Sequence, residues 1–489
     1  MSSGALGVFL STRVRYRLGS VLLASAVVIL ALVGLAASAE GRPLKTGFGD
    51  PIYQQSDQEG RNLWLDRSVR SGAGVVRVYA LWSSVASGGQ PENPADPADP
   101  AYDFSRLDAT VTDATARGLT VLISIYSAPE WAQGANRPAW ADEYPGSWRP
   151  NKTKFRAFAE ALTTRYSGQY EGLPQVRLYE PWNEPNLPYF LSPQWSGGKT
   201  GGRPIGSEIY RGLLNAFHSA AHSVSERNVG VGPSTGPYGN PRQGRTRPVA
   251  FLRQLLCLKD RKKLVRVSSC PVKARLDRLS HHPITTSGGS GTSAIHPDDA
   301  ATPDMDRLIR VLRAAERRKT ILPVGRRAVW ATELWWSTNP PDYESGVSPA
   351  KQARWIQDSI YRLWDAGVTG VLYYLIADRA FQAGTWHGRW AGTGVYFLDG
   401  RPKPSQRASR FPFVTRDQKD GRLLLWTRAP EAGRVIFERK TASGWRKVVS
   451  ARVGKGDVVT RRVPRPAPRQ SLRLRARLAD ESSLTWIQN

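Results

Sequence analysis

Between residues 44 and 411 the chain alternates short, densely apolar runs with longer stretches whose apolar positions recur every three or four residues. The short runs are LKTGFG (44–49), GVVRVYALW (74–82), LTVLISIYS (119–127), VRLYEPWNEPN (176–186), VGVGPS (229–234), RLDRLSHHP (275–283), AVWATELWW (328–336) and GVLYYLIADR (370–379). Each is rich in β-branched or aromatic residues and most lie beside turn formers, which predicts eight strands. The stretches 104–118, 153–168, 207–227, 305–319 and 348–367 carry the helical period. The first of them follows Asp103, a good N-cap, and stops at Gly118. Strand and helix in alternation predict an α/β fold, a (β/α)8 TIM barrel with inserted loops. The alternative, an open doubly wound sheet, calls for a glycine-rich phosphate loop opening a helix after the first strand. GFGDPIY (47–53) carries no such helix start.

After residue 411 the texture changes. RLLLWTRA, RVIFERK, WRKVVSARV, VVTRRV and LRLRARL are short alternating segments separated by Gly, Pro and polar turns. They predict a small C-terminal β-sandwich, dividing the chain into an N-terminal segment (1–39), a barrel (40–411) and a sandwich (412–489). In the first segment Arg13, Arg15 and Arg17 precede an uncharged run, Leu18–Ala39, that closes on Ala37-Ser38-Ala39. That is the layout of a secretory signal peptide cleaved after Ala39, with an uncleaved membrane anchor as the alternative. Either makes the protein exported, secreted or retained at the cell envelope. Export gives the only two cysteines a meaning: Cys257 and Cys270 would be bridged, constraining a basic loop by about 3 kcal/mol on the chain-entropy estimate.

Charge adds a second clue. The net charge is +28, and residues 401–489 alone hold 22 Lys+Arg against 7 Asp+Glu. On an exported chain this points to anionic cell-wall polymers or membrane surfaces as partners of the C-terminal domain rather than to nucleic acid; the plainer alternative is arginine filling solvent faces. Seventeen tryptophans are also many. Several fall in Pro/Gly-rich loops (Trp131, Trp140, Trp148, Trp195, Trp335, Trp336), where a flat ring with an N–H handle suits sugars, although most tryptophans serve packing.

Barrel enzymes build their sites at the C-terminal ends of the strands. Two glutamates occupy such ends: Glu184 in YEPWNEPN (179–186) after strand four, and Glu333 in AVWATELWW at strand seven. Facing carboxylates on one barrel mouth suit glycosidic-bond hydrolysis, in which one attacks the anomeric carbon and the other handles the proton. Glu180, within the strand, reads as a member of a structural ion pair beside the site. His281 and His282 are adjacent, so at most one reaches the mouth, and His282 is favoured.

WNEPN at strand four and an aromatic-flanked TE at strand seven resemble clan A of the glycoside hydrolases, retaining enzymes on a (β/α)8 barrel. YDFSRLD (102–108) and WNEPNLPYF (182–190) are most similar to the family 39 and family 5 branches. The resemblance implies Glu184 as acid/base, Glu333 as nucleophile, Asn183 as a hydrogen-bond partner of the sugar 2-hydroxyl, and Arg77 as the arginine that keeps the nucleophile ionised. Trp131, Trp182, His282, Trp335 and Tyr374 complete the candidate substrate-binding set. The chain departs from the family in two places. Ile284 stands near the position of an expected tyrosine after strand six, and Tyr373-Tyr374-Leu375 replaces a tryptophan platform at strand eight.

No phosphate loop, serine nucleophile elbow or cofactor signature is present. His218 and His222 have the one-turn spacing of a metal pair, but HSAAH lacks the glutamate of a zinc protease, so neither metal nor cofactor is expected. Three functions stay open: an exported retaining glycosidase on oligo- or polysaccharide, a catalytically impaired carbohydrate-binding barrel, and a basic surface-attachment protein.

Overall fold

A computed structural model of the protein describes residues 41–489 except Pro271, Ser287 and 467–469. The expected leader or anchor, 1–39, lies outside the described residues. Among the described residues no helix is long and apolar enough to cross a membrane.

Eight parallel strands close into a barrel: β1 (Lys45–Gly49), β2 (Val75–Leu81), β3 (Thr120–Tyr126), β4 (Leu178–Pro181), β5 (Val229–Thr235), β6 (Arg278–His281), β7 (Ala328–Ala331) and β8 (Gly370–Tyr373). Neighbours in sequence are neighbours in the sheet, and β1 pairs β8 to close it. Along β2 and β3 successive side chains alternate between the helices and the barrel interior. Val76, Val78, Val121 and Ile123 join the large core under the helices. Val75, Leu122, Leu178, Val231, Trp330 and Leu372 instead form a separate cluster inside the barrel. One step up each strand the interior turns polar, with Arg77, Ser124 and Glu180, all at most 1 % exposed. A further step brings Tyr79 and Tyr126, ring centroids 6.3 Å apart, to the mouth. The barrel is therefore layered: apolar floor, buried charged tier, aromatic rim. Trp330 fills so much of the floor that a Cβ on Gly370 would sit 2.4 Å from its indole, so this strand position accepts only glycine.

Helices α1 (Gln58–Arg70), α2 (Ser105–Thr115), α3 (Lys152–Arg165), α4 (Gly206–Val224), α5 (Pro248–Leu255), α6 (Met305–Arg317) and α7 (Pro349–Ala366) surround the barrel. The first and fifth were not among the helices read from the sequence. QEGRNLWLDRSVR in α1 is too polar to show a strong apolar stripe, but Asp57 caps it by accepting from the Glu59 and Gly60 amides. Four of the strands are only four residues long. The apolar runs at strands four, six, seven and eight are longer because their tails continue as buried loop.

The C-terminal sandwich is present as expected. Its first sheet holds β9 (Phe413–Asp417), β10 (Arg422–Arg428) and β13 (Val458–Pro464). The second is built on β11 (Gly433–Thr441), β12 (Gly444–Val453) and β14 (Leu472–Leu478), with Trp486 on a short final strand. Trp426 of β10 packs on Tyr361 and Trp364 of α7 at 5.7 and 5.8 Å. The apolar core runs continuously from barrel to sandwich. Cys257 and Cys270 are disulfide-bonded across a small hairpin.

Candidate active site

The site begins at the end of β4. The strand stops at Pro181, five residues before the end of the run read from the sequence, because Trp182 (φ 82) and Glu184 (φ 36) both take left-handed backbone. The turn stays pinned to its neighbours even so. The Trp182 amide donates to Ile125 O at 2.7 Å and the Glu184 amide to Ser234 O at 3.1 Å. Asn186 completes the anchoring: its amide group donates to the Gly236 and Thr246 carbonyls and accepts from the Gly236 amide. A Cβ at Gly236 would sit 3.1 Å from the Glu184 carboxyl carbon, so the missing side chain leaves that carboxyl its room. Two left-handed non-glycine residues in three are a cost that the surrounding hydrogen bonds hold in place.

Arg77 organises the tier beneath. Its Nε donates to Glu180 Oε2 at 2.5 Å, Nη1 to Glu333 Oε2 at 3.1 Å, and Nη2 to both Asn183 Oδ1 at 2.7 Å and Ser124 Oγ at 3.1 Å. Glu180 is thus the buried ion-pair partner that the sequence suggested, and Ser234 Oγ donates to its other oxygen. Burial alone would push the Glu180 carboxyl up; Arg77, His282 and the Ser234 and Thr332 hydroxyls outweigh it and hold the carboxyl below its ordinary value. Asn183 spends its carbonyl on Arg77, which leaves its NH2 to donate elsewhere.

Glu333 departs from expectation. Arg77 was expected to hold its carboxyl low, yet burial pushes it above the ordinary value, Glu184 and Glu180 add to the push, and His282 and Arg77 only partly offset it. The reason is geometric: the guanidinium is shared among four acceptors, and its shortest contact goes to Glu180.

His282 joins the two halves. Its Nδ1 lies 2.8 Å from Glu184 Oε1 and 3.8 Å from Glu333 Oε2. Two oxygens so close to one nitrogen are no more than about 6.6 Å apart. His281 faces the other way, its ring nitrogens 2.8 Å from Thr235 Oγ1 and 2.9 Å from Ala300 O, as the strand alternation requires.

The aromatic candidates divide. Tyr374 belongs to the mouth: burial pushes its phenol well above the ordinary value, and Tyr79, Glu333 and Asp50 add to the shift. Trp335 is half-buried two residues beyond Glu333. Trp182 does not line the site. Its indole is fully buried, packs on Phe155 at 5.6 Å and donates to Phe190 O at 2.6 Å. Trp131 packs edge-on against Trp82 at 5.6 Å with Lys154 Nζ 5.2 Å over its ring, which makes it a prop for α3. Sequence reasoning missed Tyr79 and Tyr126. Their signal was present, since each lies two residues beyond a buried polar position on the inward face of its strand.

The fold is that of known glycoside hydrolases. A family 39 glycoside hydrolase from the gut symbiont Bacteroides cellulosilyticus WH2 superposes with a TM-score of 0.54 at 16% identity, covering 86% of this chain and 81% of that one. A monomeric β-xylosidase from Caulobacter crescentus CB15 does so at 0.50 and 15% identity, covering 86% and 97%. At such identity the likeness establishes the architecture. No protein-family model and no curated protein sequence matches the chain.

Proposed function

We propose that the protein is an exported retaining glycoside hydrolase with Glu333 as nucleophile and Glu184 as acid/base. The supporting observation is the convergence of both carboxylates on one nitrogen of His282, at 2.8 and 3.8 Å. A separation bounded near 6.6 Å accommodates the about 5–5.5 Å of a double displacement. Arg77 holds Glu333 Oε2, leaving Oε1 to attack the anomeric carbon. As that bond forms, the bond to the leaving oxygen breaks and Glu184 gives the oxygen its proton. Water then attacks the glycosyl ester, returns a proton to Glu184 and releases Glu333. The free NH2 of Asn183 is placed to donate to the sugar 2-hydroxyl, and the tyrosine rim offers apolar faces and O–H groups to the ring.

The test is turnover of a panel of aryl glycosides, β-xylosides first because a neighbour in fold is a β-xylosidase. Glu333→Gln is expected to abolish turnover. Glu184→Gln is expected to lower it by about 10²–10⁴-fold on poor leaving groups. Full activity in either variant would overturn the assignment. The second reading, a barrel that binds sugar without cleaving it, draws on Ile284, which is buried near the place of the family's tyrosine. Saturable binding with no product across the panel would favour it.

A further inference from the structure

At the end of the barrel opposite the glutamates, three side chains with metal-binding atoms meet. His218 and His222 stand one turn apart in the second half of α4, their rings stacked 3.9 Å apart and inclined by only 14°. Asp277, the residue before β6, rises between them: Oδ1 lies 3.4 Å from His218 Nε2 and Oδ2 lies 3.1 Å from His222 Nε2. One donor atom from each residue falls within 4.8 Å of the others, and among the described residues this is the one His/Cys/Asp/Glu group so arranged.

Bonds of about 2.0–2.1 Å around a tetrahedral zinc place neighbouring ligand atoms roughly 3.3 Å apart. Each histidine nitrogen has one carboxylate oxygen near that spacing, His218 facing Oδ1 at 3.4 Å and His222 facing Oδ2 at 3.1 Å. A purely hydrogen-bonded triad is the competing account, but only His222 meets Asp277 in good hydrogen-bond geometry, while His218 Nε2 stands 3.4 Å from Oδ1. Asp277 is also held from behind, as a metal-ligating carboxylate usually is, by the Gly230 amide donating to Oδ2 at 2.8 Å. The three side chains remain 12, 25 and 12 % exposed, which gives an ion a way in.

We propose that His218, His222 and Asp277 bind a divalent transition metal, zinc foremost, with water completing the coordination. The third ligand was invisible in the sequence because it lies 55 residues beyond His222. The ion would tie the last turns of α4 to the starts of β5 and β6, clamping the floor of the barrel. Its position makes it a structural clip independent of sugar hydrolysis.

The purified full-length protein, stripped with EDTA and dialysed, is titrated with Zn2+ by calorimetry and with Co2+ by visible absorption. One saturable equivalent, the intense visible bands of tetrahedral cobalt and a higher Tm with zinc are expected. His222→Gln and Asp277→Asn, the latter still able to accept from Gly230, are each expected to weaken binding at least by the ~10–100-fold that loss of an outer-shell partner costs. Each is also expected to remove the Tm increment while leaving the far-ultraviolet circular dichroism unchanged. The proposal is overturned by absence of saturable binding, by undiminished affinity in His222→Gln, or by an equivalent lost in Glu184→Gln instead.

Discussion

Glu184 Oε1 and His282 Nδ1 are joined at 2.8 Å, while the histidine's Nε2 is buried and makes no hydrogen bond. The ring's one hydrogen bond therefore goes to the proposed acid/base, with Glu333 Oε2 farther off at 3.8 Å. His282→Ala is expected to disturb proton delivery more than binding. Turnover of substrates with poor leaving groups should fall by about tenfold or more, a fraction of the full acid/base contribution. Activated aryl glycosides should suffer less. A series of leaving groups measures the difference, and equal losses along the series would show that His282 does not act through Glu184.

Arg77 is buried and serves Glu180, Glu333 and Asn183 together. Arg77→Met strands two carboxylates without their cation, a change that typically costs about 3–5 kcal/mol when a buried pair is broken. Urea melts should show that loss. Adding Glu180→Gln should restore part of the stability, because the most deeply buried of the orphaned charges is then gone.

If Glu333 is the nucleophile, as proposed, its raised carboxyl should set the acid side of the pH profile. The nucleophile acts only when ionised, so kcat/KM should fall as pH drops through a value above the ordinary glutamate range. Without Arg77 that limb should move higher still. A limb at or below the ordinary range would contradict the burial argument.

His281 makes a separate prediction about stability. Burial lowers its imidazole from 6.5 to about 3, against the hydrogen bonds that would raise it. With the folded value below the unfolded one, the unfolded chain binds the extra proton first. The stabilising contribution is complete above about 6.5 and drains away as pH falls toward about 3. Tm measured across that window should decline in the wild type and decline less steeply in His281→Gln.

Lys403 and Asp378 form a fully buried pair at 2.7 Å, and Lys403 also reaches Thr338 Oγ1 at 2.7 Å and Gly392 O at 2.9 Å. Burial raises the aspartate to about 6 even though Lys403 pulls it down. Lys403→Met is expected to cost about 3–5 kcal/mol in denaturant melts, by the same logic of an orphaned charge. Asp378→Asn in the same chain should recover much of it.

The sequence carried the architecture because its signals are local. Apolar runs marked each barrel strand, and the alternating tail marked the sandwich. Glu184, Glu333, Arg77 and His282 were legible since each stands at a strand or its end within a distinctive string. What stayed hidden was long-range. Trp182 looks like a sugar platform in WNEPN, and only a left-handed backbone sends its ring into the core. The share of Arg77 claimed by Glu180 depends on distances across the barrel, as does the meeting of His218, His222 and Asp277. The tail reads as a detachable module, yet Trp426 is seated on Tyr361 and Trp364 of α7. Removing 412–489 would bare that face, so the shortened chain is expected to melt lower instead of behaving as a self-sufficient barrel.

Val75, Leu122, Leu178, Val231, Trp330 and Leu372 fill the barrel below the proposed site with an apolar plug. With the axis filled, the mechanism proposed here would have the departing alcohol and the incoming water use one doorway in turn. An alcohol lingering at that doorway would then compete with water for a glycosyl group held on Glu333. On the mechanism proposed here, abundant acceptor alcohol should divert the reaction from hydrolysis to sugar transfer.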